Sequence, residues 1–261
     1  MATPNETLWE ITPHTKAKHE ILRGYLQAWF PILNRYHGRI IYIDGFCGPG
    51  RYLGGELGSP IIALDVAITH RRAMEGELIF LFIDERKDRI THLQQELNTR
   101  SIPTNFKVFP KCGRFQEKLE QVFKSAEEST GRLPPTFMFV DPFGISGSPF
   151  PTIERLLRQE GCEALITFMV GPINRWLEHP EVGVTRHIVE AFGTEKCLEI
   201  ANSSSDRIMA LRALYQEQLE SVTKFVRDFE IRDCDNRILY YLFFATNNSL
   251  GHCRMKEAMW K

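Results

Sequence analysis

The chain has 261 residues, 43% of them hydrophobic and 25% charged, and a formal net charge of -1, a balance that predicts a folded, water-soluble protein with a sizeable core. Its 32 basic and 33 acidic residues exclude a globally basic surface for nucleic acid and leave room only for a local basic face. Six singly scattered cysteines (Cys47, Cys112, Cys162, Cys197, Cys234, Cys253) exclude a CxxC zinc site or a disulfide framework, and no apolar stretch reaches the roughly 18 residues of a membrane span, so a cytoplasmic protein with no metal and no membrane partner is expected.

In chain order, apolar positions Ile21, Leu22, Tyr25, Leu26 and Trp29 share one face of a helix expected from about Lys16 to Phe30 and ending near Pro31. A β-branched run, 39–44, stops at a glycine-rich turn and is followed by a helix pattern at 59–74. The same alternation returns as strand 78–83 with helix 88–97, strand 105–109 with helix 115–125, and strand 137–140 with a helix around 153–158. A fifth strand is expected at 163–169, and 225–231 and 240–246 read as a closing hairpin. Asn202 to Ser205 reads as a polar loop, there is no internal repeat, and Met255 to Lys261 looks like an unfinished amphipathic segment. Strands alternating with helices imply parallel crossovers covered on both faces, and ligands in such sheets bind beyond the carboxyl ends of the strands. Those ends are Asp44, Asp84-Glu85 and Asp141.

The most specific signal is Asp44-Gly45-Phe46-Cys47-Gly48-Pro49-Gly50, between a strand and a helix. A phosphate loop wants Gly-Lys-Ser/Thr, but Gly50 is followed by Arg51-Tyr52; a dinucleotide fingerprint wants a third glycine where Leu53 stands. Asp44 repels a pyrophosphate and suits a cationic ligand, such as the sulfonium and amino group of S-adenosylmethionine; the plainer alternative is a structural Gly-Pro-Gly turn capped by Asp44. Asp84 and Glu85 are placed to accept from ribose hydroxyls, or else to cap the helix that follows. Asp141-Pro142-Phe143-Gly144 joins an acceptor, a rigid corner and a ring, a group suited to an exocyclic amine on a stacked base, although Asp-Pro is also a common turn start. His14, Lys18 and His19 cluster at the first helix, either facing substrate or forming a solvated face.

Trp9, the segment Pro13 to Leu22, Ile43 to Tyr52, Gly58-Ser59-Pro60, Asp141 to Gly144 and Met255 to Trp260, in that order, resemble the three-Cys-motif partner protein (TcmP) family. That family is methyltransferase-like, and the resemblance implies a Rossmann-like class I methyltransferase fold and a partner with a three-cysteine, radical-enzyme-like motif. A more distant similarity runs to the adenine N6-methyltransferases of large-subunit (23S) ribosomal RNA, whose Lys-His pair and Asp-x-x-x-Gly-x-Gly-x-Tyr loop are matched by Lys18-His19 and by Asp44, Gly48, Gly50 and Tyr52. Their Asp-Pro-Pro-Tyr is replaced here by Asp141-Pro142-Phe143-Gly144, which moves the ring by one place.

The resulting expectation is an α/β fold with a mainly parallel seven-stranded sheet, residues 1–38 forming a helical segment on a Rossmann-like domain of 39–261. The activity expected is S-adenosylmethionine-dependent methylation of an amino nitrogen in a nucleic acid or nucleotide-like acceptor. Asp44, Gly45, Phe46, Gly48, Gly50, Asp84 and Glu85 are assigned to the cofactor, Asp141, Pro142 and Phe143 to catalysis, and His14, Lys18, His19 and Tyr52 to substrate. The rivals are a non-catalytic adaptor of the same fold and a peptide or small-molecule methyltransferase.

Overall fold

β-Branched and aromatic side chains fit a pleated, covered surface, and within residues 5–139 they build β1 (Arg39–Asp44), β2 (Glu77–Asp84), β3 (Phe106–Cys112) and the body of β4 (Thr136–Val140). A computed structural model describes residues 5–129, 131–203 and 206–260, which fall into two units, 5–139 with 253–260 and 140–252. β1 pairs in parallel with β2 and β4, and β2 with β3. The register sets Asp44 opposite both Phe82 and Phe139, so Asp84 lies two residues farther along its strand.

Successive strand residues point to opposite faces, and the two faces are built differently. On one, Tyr42, Phe80 and Phe137 meet the rings of α1 (Pro13–Tyr36): Tyr25 lies 5.2 Å from Phe137, Phe30 lies 5.7 Å from Phe80, and Tyr42 stacks on Phe137 at 5.9 Å. α2 (Ser59–Ile68) packs on α1, and α3 (Lys87–Asn98) buries Ile90, Leu93 and Leu97. The other face carries Ile41, Ile79, Leu81 and Phe109 and looks toward α4 (Phe115–Ser129), which buries Phe115, Leu119 and Phe123.

The first helix does not end near Pro31. It starts earlier, with Thr12 as N-cap accepting from the Thr15 N–H, and runs through Pro31 to Tyr36. An interior proline costs about 3 kcal/mol in a helix, and the burial of Tyr25, Leu26, Trp29 and Phe30 immediately before it offsets that loss.

In residues 140–252, β5 (Cys162–Phe168) pairs antiparallel with β7 (Ile238–Thr246), which forms the expected hairpin with β6 (Phe225–Arg232). Asn236 adopts φ 62° in the hairpin loop. Around these strands lie α5 (Phe150–Leu157), α6 (Val170–Trp176), α7 (Val182–Phe192), α8 (Lys196–Ser203) and α9 (Arg207–Glu220); the last four answer to no element expected from the sequence. The polar run at 202–205 is helical at Asn202 and Ser203, and its last two residues lie outside the described ones. An aromatic core of Phe168, Phe192, Tyr215 and Phe243 holds this unit, with Phe168 stacked on Tyr215 at 4.2 Å.

The strand order is β3-β2-β1-β4-β5-β7-β6, a mainly parallel, Rossmann-like α/β sheet with an antiparallel end, and α10 (Ser249–Met259) follows it. Among the described residues no helix is long and apolar enough to cross a membrane.

Phe80 is fully buried among Phe30, Tyr42, Phe82 and Phe106. Replacing Phe80 with Ala is expected to lower stability by about 3–5 kcal/mol in urea unfolding; a loss below about 1 kcal/mol would show that this ring cluster is not the core.

Candidate functional site

At the carboxyl end of β1 the chain must turn away from the sheet and enter α2, and Asp44 to Gly50 makes that turn. Asp44 is fully buried and its Oδ1 accepts from the Phe46 N–H at 3.3 Å, while the Gly45 N–H donates to the Phe139 carbonyl at 2.9 Å. Phe46 stacks on Phe115 at 5.4 Å. The Cys47 N–H donates to the Ile83 carbonyl at 2.8 Å, and the Gly48 N–H to Asp84 Oδ2 at 3.2 Å, so the loop is stitched to the end of β2. Gly48 (φ 62°) and Gly50 (φ 83°) take the left-handed conformation this path demands. At Gly50 a Cβ would also lie 2.7 Å from Leu93 Cδ1.

Asp84 is the hub. Its Oδ1 accepts from the Arg86 N–H at 2.8 Å, and the buried Arg89 guanidinium stands 3.7 Å from Oδ2. Burial pushes the Asp84 carboxyl above the usual carboxylate range, against the opposing pull of the Arg86 N–H, Arg89 and the Gly48 N–H; burial likewise lowers Arg89. Cys47, buried beside Asp44 and Asp84, has its thiol pushed far up, first by burial and then by those two charges, so it is not a thiolate nucleophile.

Residues 5–12 lie along this loop. Thr7 Oγ1 donates to Asp88 at 2.5 Å, the Leu53 N–H donates to the Trp9 carbonyl at 2.9 Å, and Arg89 sits 4.7 Å over the Trp9 ring. Trp9 also meets Tyr52 edge-on at 5.6 Å, and the tip of the indole is what a Cβ at Gly48 would touch. His92 Nδ1 stands 2.8 Å from the Pro49 carbonyl, which places its proton on Nδ1, and Arg51 grips Glu96 through two bonds of 3.0 and 2.9 Å.

The structure thus gathers Asp44, Gly45, Phe46, Gly48, Gly50 and Asp84 at adjoining strand ends. Neither Asp84 nor Glu85 is the N-cap of α3, a place taken by Arg86; Glu85 is exposed. Lys18 and His19 are buried, which removes the solvated-face alternative for them, and the His19 ring lies 5.8 Å from Tyr52. His14 is half-buried in the first turn of α1. Asp141, Pro142 and Phe143 follow β4 directly, with Pro142 buried and the other two half-buried. The Trp9–Arg89–Asp84 cluster was not anticipated: its only local signal is an arginine five residues after a strand-end aspartate. Among the described residues no group of three His, Cys, Asp or Glu is placed to hold a metal ion.

No family model matches the chain, and no curated protein matches it in sequence. Among solved structures it is similar to Trm1 from Pyrococcus horikoshii in complex with S-adenosyl-L-methionine, at 12% identity and TM-score 0.45, over 99% of this chain and 61% of that one. It therefore spans less than two thirds of the Trm1 chain. It is also similar to a putative O-methyltransferase from Klebsiella pneumoniae, at 14% identity and TM-score 0.45 over 92% of each chain. A third similar structure is the O-methyltransferase TomG from Streptomyces achromogenes in complex with SAM, at 12% identity and TM-score 0.44, again over 92% of each.

Two outcomes are expected of this loop. Gly50→Ala forces a side chain into the left-handed region against Leu93 and is expected to lose at least about 1–2 kcal/mol in urea unfolding. Because the folded protein holds the Asp84 proton more tightly than the unfolded chain does, this group's contribution is greatest at low pH and falls as pH rises through its raised pKa. The stability of the native protein relative to Asp84→Asn is therefore expected to decline between pH 4 and pH 7; a difference that grows over that range contradicts the assignment.

Proposed function

We propose that the chain is an S-adenosylmethionine-dependent methyltransferase acting on an amino nitrogen of a nucleic acid or nucleotide-like acceptor. The observation that carries this reading is the buried carboxylate of Asp44 at the start of a glycine turn whose far side is bonded to the end of β2, beside the exposed Glu85. The donor set fits the cofactor: a carboxylate for a cationic methionine portion and a second, solvent-facing carboxylate for a ribose diol. Glu85 is assigned the ribose rather than Asp84, because both Asp84 oxygens already accept backbone N–H groups.

Bound there, the cofactor supplies an electrophilic methyl group on a sulfonium. The chain's part is placement: Gly45, Phe46, Gly48 and Gly50 shape the turn, and Asp44 attracts the cation. Asp141, Pro142 and Phe143 are proposed, on the sequence motif, to receive the acceptor, Asp141 orienting the amine by accepting its hydrogen bonds while Phe143 stacks on the base. Holding the reactants in line is worth roughly 7 to 11 kcal/mol, enough to make positioning the main source of rate without a general base. His14, Lys18, His19 and Tyr52 are proposed to meet the substrate, and a three-Cys-motif protein is proposed as partner on the resemblance alone.

Calorimetry with S-adenosylmethionine and its demethylated product tests the reading, together with mass spectrometry of whatever small molecule copurifies. Asp44→Asn is expected to weaken binding by roughly 10- to 100-fold, the worth of one charge-assisted hydrogen bond. Methyl release onto bulk RNA or DNA then tests the acceptor. Absence of cofactor binding overturns the proposal, and binding without turnover assigns the chain to the adaptor role.

A further inference from the structure

The strands that end at the glycine turn carry a second concavity on the face away from α1. Alternation puts Ile41 of β1, Ile79 and Leu81 of β2 and Phe109 of β3 on that face, and α4 lies over it without filling it. A cavity of about 370 Å³ is left between sheet and helix, inside the range of about 300–1,000 Å³ common to ligand sites. Its helical wall is one face of α4, the positions Lys118, Val122, Ser125 and Ser129, adjoining the face that buries Phe115, Leu119 and Phe123.

The charges around it have one sign. Arg39, Lys111, Lys118 and Arg132 line the cavity, and among the described residues no aspartate or glutamate does. Arg39 is neutralised by an ion pair with Glu77. Lys111 extends beside the Phe109 ring, its Nζ 5.7 Å from the centroid, and the Lys118 stem folds over the turn at Gly113 that ends β3, where a Cβ would lie 2.5 Å from its Cε. Neither lysine pairs with a carboxylate among the described residues. Phe109, 43% exposed, marks where the apolar floor reaches the cationic end.

An apolar trough with two lysines in its lining near the end of β3 suits an anion that also carries an apolar part. We propose that this cavity binds a small amphipathic anion, its chain or ring lying on Ile41, Ile79, Leu81 and Val122 and its carboxylate or phosphate held by Lys111 and Lys118. The site shares no residue with the proposed cofactor loop, so it stands or falls independently of methyl transfer.

The test uses the full chain and four ten-carbon probes below their micellar concentrations: decanoate, decyl phosphate, decylamine and the uncharged decyl maltoside, titrated by calorimetry. One-to-one binding of at least one anion is expected, with decylamine at least tenfold weaker; the preference between decanoate and decyl phosphate identifies the headgroup. The double variant Lys111→Glu, Lys118→Glu, which alters only the rim, is expected to weaken the anion at least tenfold while leaving the melting temperature and S-adenosylmethionine binding unchanged. Val122→Trp, which fills the trough, is expected to abolish binding of every probe. The proposal is overturned by absence of saturable binding, by equal affinity for amine and anion, or by indifference to the charge reversal. It is equally overturned if sedimentation shows a dimer that Val122→Trp dissociates while no probe binds, which assigns the face to a second copy of the chain.

Discussion

The site depends on a carboxylate that the fold buries and then satisfies. An ion taken out of water loses several kcal/mol even after relaxation, and Asp84 regains part of that through the Gly48 and Arg86 N–H groups and the neighbouring Arg89, burial remaining the larger effect. Each partner is thereby fixed. Gly48 must present its N–H toward β2, which sets its left-handed backbone, and Arg89 must stay buried, which requires a ring such as Trp9 to cover it. The end of β2, the β1–α2 turn and residues 5–12 are therefore one electrostatic assembly, not three neighbouring segments. A carboxylate engaged in this way holds the rim in shape, while the next residue, Glu85, faces solvent.

Legibility in the sequence followed locality. The strands and the crossover helices of residues 39–168 announce themselves because each is a short periodic run bounded by Gly, Pro or Asp, and the closing hairpin is visible for the same reason. The four helices between Val170 and Glu220 were silent. α6 is seven residues long and carries Gly171 and Pro172, and α7 buries only Ile188 and Phe192, too few positions to mark a face. α9 does bury Leu211, Leu214, Tyr215 and Leu219, but apolar and polar residues alternate around it so evenly that the stripe is visible only once its partners are known. Pro31 misled in the opposite sense, since a local rule for helix ends yields to a helix whose preceding turns are already anchored by four buried side chains.

At the site the same division holds. Asp44, Gly48 and Gly50 are legible because a strand end and a turn impose their own residue types. Lys18 and His19 look like surface residues on polarity alone, and only the structure shows them buried, with the His19 ring 5.8 Å from Tyr52. Trp9 and Arg89 are 80 residues apart and meet only because residues 5–12 run along the β1–α2 turn, so no spacing rule finds them.

The two faces of β1–β3 show how one sheet serves two ends. The face toward α1 is filled with rings, Tyr42 and Phe80 among them, which pack against Phe30 and Phe137. The opposite face carries the slimmer Ile41, Ile79 and Leu81, and α4 crosses it leaning on Phe115, Leu119 and Phe123. Had both faces been packed with rings, α4 would stand farther off or the strands would splay; had both been aliphatic, α1 would have lost the partners that carry it past Pro31. Lysine stems tolerate such a half-open trough because their methylenes shelter apolar surface while the ammonium stays in water. The ring-packed face therefore supports the register that sets Asp44 opposite Phe82, and the opposite face carries the cavity while α4 stays tied to the glycine turn through Phe46 stacked on Phe115.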